Sequence, residues 1–301
     1  MNADHKILAV ILHYGKPDDT LECIQSVFSS NGVRPDVLVV ENSDKTAFSN
    51  PPKHVRFILS GGNIGFAAGN NIGLNIAINE GYDRALVLNN DLILEPNAIA
   101  SMSTHMDNCN SIGMVGPVTF HYHGHRTIWA AGGIINKITG RITGNQTIPD
   151  GSDPIFDVAY LPGSCIMVRV SALKKIGLFS DRYLFGFEEA EFCLQARKSK
   201  YRIVVAKEAT AWHKVGLSSN QSPKYIYNAY RGRFLFLKYL YGKIAALPFY
   251  LIIVCAGILR GGEEASLALL AFQDHFKYRK VLFREFHSSE HRLNTIFAKN
   301  K

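Results

Sequence analysis

The chain has 301 residues, 47% of them hydrophobic, which is enough for one large domain or a domain with an appendage. Its five cysteines (Cys23, Cys109, Cys165, Cys193, Cys255) form no Cys-x-x-Cys pair, which argues against a zinc site or disulfide framework and fits a reducing compartment. The net charge of +8 falls entirely in the last quarter, where residues 224–301 carry 13 Lys/Arg against 5 Asp/Glu and the first 223 residues carry 20 of each.

Residues 7–12 are a short apolar run of the kind a buried parallel strand shows. The polar residues 1–6 before it carry no secretory signal. Over 18–30 the spacing of Leu21, Ile24, Val27 and Phe28 predicts a helix. Residues 37–40 and 55–59 predict two more strands, and Gly61-Gly62-Asn63-Ile64-Gly65-Phe66 a loop feeding a helix over about 70–80. A fourth strand is expected at 85–88, and Pro96 suits the first turn of the next helix. Strands alternating with helices predict an α/β fold with a mostly parallel, doubly wound sheet and helices on both faces. After Gly116 the rhythm changes. Residues 129–147 predict hairpins, 157–160 and 165–170 strands, 188–200 a helix and 202–205 the last strand. From Tyr225 onward the chain reads as helical, and no internal repeat interrupts it.

The longest apolar run, residues 244–259, lies between Lys243 and Arg260 and is broken by Pro248. It is shorter than the roughly 20 residues a membrane span needs. The expectation is a helix lying in or dipping into an anionic bilayer surface; a buried core helix with a solvated basic face is the alternative. The basic residues accompany a lipophilic run rather than a nucleic-acid module, so no nucleic-acid partner is expected. These features divide the chain into 1–223 and a basic, membrane-associating helical region, 224–301.

In open α/β sheets ligands gather beyond the carboxyl ends of the strands. Asn89-Asn90-Asp91 emerges there after the strand at 85–88. Asp91 can hold Mg2+ or Mn2+ bound in turn to diphosphate oxygens, or it can simply cap a turn. Glu41-Asn42-Ser43-Asp44 opens at the same edge, as a contact to nucleobase or ribose or as an ordinary polar loop. The glycines of 61–65 let backbone amides approach a ligand, although the segment is neither GxGxxG nor a Walker loop. Glu188-Glu189-Ala190-Glu191 offers a base for a hydroxyl proton, its pKa raised by burial and like charge. The alternative is that these acids answer the helix dipole. His213 completes a metal shell as neutral imidazole, or packs beside Trp212.

In order along the chain, these segments resemble the family-2 inverting glycosyltransferases of the GT-A fold, in particular the rhamnosyltransferase-like branch. The resemblance rests on Val39-Val40-Glu41-Asn42-Ser43, on Asn63-Ile64-Gly65-Phe66-Ala67-Ala68-Gly69-Asn70-Asn71, and on Leu88-Asn89-Asn90-Asp91 as a variant of the DxD motif. It continues through residues 161–169, Gly177-Leu178-Phe179-Ser180, Phe185-Gly186-Phe187-Glu188-Glu189-Ala190-Glu191-Phe192, and Tyr227, Tyr230, Arg231 and Arg233. It implies Asp91 and His213 as metal ligands and Glu189 as the base, with Glu188 and Glu191 on acceptor or donor hydroxyls. Glu41, Asn42, Asn63, Gly65, Asn89 and Asn90 would serve the nucleotide donor, and Arg231 and Arg233 its diphosphate. The implied partners are dTDP-rhamnose or a UDP-sugar and a lipid-linked saccharide at the cytoplasmic membrane face, in cell-surface polysaccharide or O-antigen synthesis. This sequence departs from the pattern where Glu189 and Glu191 replace aspartates, Glu41 replaces aspartate and Gly232 replaces an asparagine. An inactive nucleotide-sugar-binding paralogue is one rival. A sugar-nucleotide pyrophosphorylase is another, although His13-Tyr14-Gly15-Lys16 does not supply its usual Arg/Lys-bearing glycine loop.

Overall fold

The computed structural model describes residues 5–43, 52–123, 126–183, 186–214 and 223–277. Asp44, Phe185 and the tail beyond 277 lie outside the described residues. The first half runs β1 (Ile7–His13), α1 (Pro17–Phe28), β2 (Asp36–Glu41), β3 (Val55–Leu59), α2 (Phe66–Asn79), β4 (Arg84–Asn89), β5 (Leu92–Leu94) and α3 (Ala98–Asn108). Then come β6 (Ile112–His121), β7 (Ile128–Ala130), β8 (Gly133–Asn136), β9 (Arg141–Gly144), β10 (Ile155–Asp157), β11 (Cys165–Arg169), α4 (Val170–Ile176), α5 (Glu188–Lys198) and β12 (Arg202–His213). Three helices follow: α6 (Pro223–Ala245), α7 (Leu247–Arg260) and α8 (Gly262–Lys277).

The main sheet has the order β10-β12-β6-β11-β4-β1-β2-β3, with β5 added to β12 and β7 to β6. Strands β3, β2, β1 and β4 are mutually parallel, as are β6 and β12; β11 runs antiparallel between the two groups. Alternation along β1 shows why the sheet is covered twice. Leu8, Val10 and Leu12 join a core with Leu74 of α2, Leu173 of α4 and Phe192 of α5. Ile7, Ala9 and Ile11 face the opposite core, with Ile24 of α1 and Met102 of α3. A strand buried on both faces reads as a continuous apolar run, and that is how 7–12 reads.

Several boundaries differ from expectation. Helix α2 begins at Phe66, a turn before residue 70, because Gly69 and Gly73 lie against β1: a Cβ at either would stand 2.5 Å from Leu12 or 2.3 Å from Val10. Glycines needed for close helix–strand approach read as loop in sequence. Pro96 precedes α3 in a turn, and Asn97 stands at its N-terminus. The strand at 165–170 ends at Arg169, and Val170 opens α4. β10 occupies Ile155–Asp157 instead of 157–160. The last strand runs on to His213, past a register shift between Ala206 and Thr210 where Lys207 and Glu208 interrupt the apolar pattern.

The described C-terminal residues are helical. A core of Tyr227, Phe234, Tyr250, Ile253, Leu267 and Ala271 joins α6, α7 and α8. Another side of α6 meets the α/β body through Leu235 and Phe236, which cluster with Tyr160, Tyr183 and Ala190. Gly242 (φ 79°) kinks α6. Among the described residues no helix is long and apolar enough to cross a membrane.

Candidate active site

The parallel register fixes where the strands deliver their last residues. His13 lies opposite Glu41 and Leu12 opposite Asn89, so β1, β2 and β4 end along one edge. Past that edge the chain turns through Asn90 and Asp91 into β5, which pairs antiparallel with β12 and sets Leu92 opposite His213. The backbone N–H of Lys214 donates to the Asp91 carbonyl at 3.0 Å. Consequently His213 Nε2 stands 3.1 Å from Asp91 Oδ1, although the two residues are remote in sequence. The Trp129 ring meets the His213 imidazole edge-on at 4.4 Å. Lys214 turns aside to Asp19 and Glu22, at 2.7 and 2.9 Å.

A carboxylate oxygen and an imidazole nitrogen suit a transition-metal cation such as Mn2+, which accepts nitrogen more readily than Mg2+ does. Among the described residues no group of three or more His, Cys, Asp or Glu side chains could hold a metal by itself. Asp91 and His213 would fit as two protein ligands, and a cation there would need phosphate oxygens or water to complete its shell. The Asp91 side chain is 25% exposed, so part of its surface meets solvent.

Asn42, Asn63 and Gly65 are brought together. The Asn42 amide Nδ2 donates to Asn63 Oδ1 and to the Gly65 carbonyl, both at 3.4 Å, while Asn42 Oδ1 accepts from the Ile64 N–H at 3.1 Å. Asn63 Oδ1 also accepts from the Gly65 N–H at 3.1 Å. The glycine loop is thus pinned to the end of β2. Glu41, buried, accepts from the Ser43 N–H at 2.8 Å and lies 3.6 Å from His13 Nε2. Burial lowers the His13 pKa, against the raising pull of Glu41. Asn90 donates to Thr20 Oγ1 and to the Tyr14 carbonyl, and His13 Nδ1 is 2.6 Å from the same Thr20 hydroxyl. Asn89 is held by its backbone, its N–H on the Ser164 carbonyl. The polar edge therefore includes His13 and Thr20, which sequence reasoning did not single out.

The acidic cluster opens α5. Phe187 enters the helix with a left-handed backbone (φ 78°). Its ring lies near those of Tyr183 and Phe236. At Gly232 of α6 a Cβ would stand 2.6 Å from Phe187 Cδ2, which explains glycine in place of the asparagine expected there. Glu189 accepts a hydrogen bond from the Tyr160 hydroxyl at 3.0 Å, and its other oxygen is buried without a hydrogen-bond partner. Burial raises the Glu189 pKa, and the Tyr160 bond partly offsets it. Burial first and the Glu189 charge second push Glu188 up to about 8. Glu191 is engaged by Arg182, by the Tyr183 hydroxyl at 2.5 Å and by Gln195 at 3.3 Å. It braces the segment before α5.

Tyr160 also ties the start of α5 to the strand pair that follows β7. It bridges to Gly133, three residues beyond Ala130 of β7, and β7 carries the Trp129 that touches His213. Neither Tyr160 nor Trp129 stands in a local pattern that sequence could flag. Arg231 and Arg233 diverge on α6. Arg231 is buried and its charge acts on His275 of α8, whereas the Arg233 stem passes the turn between β8 and β9, where a Cβ on Gly140 would stand 3.3 Å away.

No protein-family model matches the chain. It is 25% identical over 248 residues to the low-salt glycan biosynthesis hexosyltransferase Agl10 of Haloferax volcanii, covering 78% of this chain and 76% of that protein. Among solved structures, GalNAc-T7 with UDP, GalNAc and Mn2+ aligns with a TM-score of 0.64 at 12% identity, over 96% of this chain and 57% of that one. S. aureus TarS aligns with a TM-score of 0.56 at 14% identity, over 90% and 49%. The 1–349 fragment of TarS with UDP aligns at 0.52 and 13% identity, over 83% and 70%. The chain thus spans about half the length of the first two structures. It has the GT-A fold of glycosyltransferases.

Proposed function

We propose that this chain is a metal-dependent, inverting glycosyltransferase of glycan biosynthesis, in the manner of the hexosyltransferase it resembles. Its donor is a nucleotide-diphosphate sugar, a UDP-sugar or dTDP-rhamnose, and its acceptor a lipid-linked saccharide at the cytoplasmic face of the membrane. The observation that carries this reading is the pairing of Asp91 with His213 at 3.1 Å, beyond the strand ends of a GT-A sheet. The Mn2+ and UDP named for GalNAc-T7, and the UDP named for TarS, support the donor class and the cation.

The residues divide the work. The Asn42–Asn63–Gly65 network and the end of β2 receive the nucleoside, with Glu41, Asn89 and Asn90 along the same edge. Asp91 and His213 would hold a divalent cation, which would supply positive charge to offset that of the departing diphosphate. Glu189 takes the acceptor hydroxyl's proton as that oxygen attacks the anomeric carbon opposite the diphosphate, which inverts the centre. Its raised pKa and Tyr160 contact suit a base working near neutral pH. Glu188 serves the sugar hydroxyls. Arg233, half-buried on α6, is the better placed of the two arginines to serve the diphosphate, because Arg231 is buried toward α8. The basic region 224–301, with its exposed apolar α7, supports a membrane-bound acceptor.

The test is a donor panel with Mn2+ or Mg2+, reading released nucleoside diphosphate with and without membrane lipid extract. Release that requires both a cation and lipid extract is expected. Binding of donor without transfer under every condition would leave a nucleotide-sugar-binding protein, and pyrophosphate-dependent nucleotide exchange would make the chain a pyrophosphorylase.

A further inference from the structure

Helices α6, α7 and α8 form a half-open pocket of about 190 Å³ lined by Lys238, Lys243, Tyr250, His275 and Phe276. It is far in sequence from Asp91 and Glu189 and is not used by the mechanism above. Its lining is unusual for a packing defect. Tyr250 is 1% exposed and His275 7%, yet the Tyr250 hydroxyl and His275 Nδ1 have no hydrogen-bond partner. Buried polar groups are normally satisfied, and such an orphan costs stability unless a ligand fills it.

Its electrostatics favour one sign of ligand. Two lysines line the cavity, and the charge of Arg231 acts on His275. Burial and the charges of Arg231 and Lys238 push His275 down to about 4, so it is neutral at physiological pH and can offer Nδ1–H. The neighbouring carboxylate, Asp274, is 1% exposed and is bound by the Tyr227 hydroxyl at 2.7 Å. A phenol, an imidazole and two ammonium groups match the several acceptor oxygens of a phosphate monoester.

The surroundings favour a phosphate carried by a lipid. Ile244, next to Lys243, is 83% exposed. On α7, Leu247, Leu251 and Ile258 are 40%, 58% and 47% exposed and recur at helical spacing. An exposed apolar stripe beside a cationic pocket is the arrangement that lets a helix enter the headgroup boundary while the pocket holds a headgroup.

We infer that the pocket between α6, α7 and α8 binds the phosphate monoester headgroup of a membrane lipid through Lys238, Lys243, Tyr250 and His275. The inference deepens the proposed function by giving the membrane-bound acceptor reading a recognition site, and it leans on that reading only in choosing a lipid over soluble phosphate.

The test uses the full chain and vesicles of phosphatidylcholine mixed with phosphatidic acid, a monoester, or with phosphatidylglycerol, a diester, matched for total charge. Wild type is expected to prefer phosphatidic acid by about tenfold, the equivalent of one charge-assisted hydrogen bond. Tyr250→Phe, which removes only the hydroxyl, is expected to erase that preference while keeping the circular dichroism of wild type. Equal binding to both vesicles by wild type, or an undiminished preference in Tyr250→Phe, overturns the inference. Inorganic phosphate that binds in a Tyr250-dependent way, with no vesicle preference, makes this a soluble-phosphate site and overturns the lipid assignment. Because the readout is binding, a chain that prefers phosphatidic acid yet transfers no sugar would sink the proposed function alone.

Discussion

At the scale of residues, Glu189 has an oxygen held by Tyr160, another without a hydrogen-bond partner, and a pKa raised by burial. Replacing it by glutamine keeps the shape and removes the proton acceptor. Transfer is expected to fall by about 10²- to 10⁴-fold with donor binding retained, as read by turnover and by calorimetry with UDP-sugar. Near-normal turnover would exclude Glu189 as the base. Tyr160→Phe makes a finer prediction. The Tyr160 bond favours the ionised carboxylate, so its loss raises the Glu189 pKa further. The rise of kcat/KM with pH is then expected to move to higher pH, while the fold, followed by circular dichroism, stays as in wild type. Asp91→Ala removes one of the two side chains proposed to hold the cation. It is expected to abolish both cation-dependent transfer and the Mn2+-dependent change in Trp129 fluorescence, since that indole touches His213. Of these residues Asp91 was legible as an acid after an apolar strand and Glu189 as part of an acidic run. Tyr160 and Trp129 were not, because a single aromatic in so short a segment carries no periodic signal.

Among the elements, α5 depends on how the chain enters it. Phe187 adopts a left-handed backbone, and α6 presents Gly232 where the Phe187 ring approaches. Glycine inside a helix ordinarily costs about 1 kcal/mol relative to alanine. Here the close approach reverses that preference. Gly232→Asn is expected to destabilise the protein by about 1–3 kcal/mol, measured by chemical denaturation, and to lower transfer by shifting the Glu188–Glu191 segment. A stabilised Gly232→Asn protein would show that the ring moves away without cost. Glycine has a matching role where motifs distant in sequence meet. A Cβ on Gly163 would stand 2.8 Å from Phe66 Cζ, and the Phe66 ring packs edge-on against Phe179 at 5.6 Å. The segments at 63–71, 161–169 and 177–180 are thus one aromatic junction, a fact their separate spacings do not reveal.

Across the whole molecule, the buried acids make stability depend on pH. Glu188 is raised from 4.5 to about 8, so the folded chain holds a proton that the unfolded chain releases at lower pH. Its contribution is fully present below about pH 4.5 and is lost as pH rises through about 8. Thermal midpoints recorded without added cation are expected to decline across that window, and Glu188→Gln is expected to flatten the decline. An unchanged slope in the variant would assign the dependence to another group. The same scale joins the catalytic body to the helical layer, because α6 contributes to a core with Tyr160, Tyr183 and Ala190 and to another with α7 and α8.

The amino-acid sequence by itself determined the α/β alternation, the doubly covered sheet and the positions of the acidic turn and acidic helix start. Those properties are carried by periodicity and by residue chemistry over a few neighbours. Tertiary structure alone decided that Glu191 braces Arg182 and Tyr183 and that Arg231 and Arg233 part company on α6, and it supplied the contact between His213 and Asp91, which the family resemblance had paired. Each of these follows from strand order, register or helix packing, which bring together side chains that no local pattern relates.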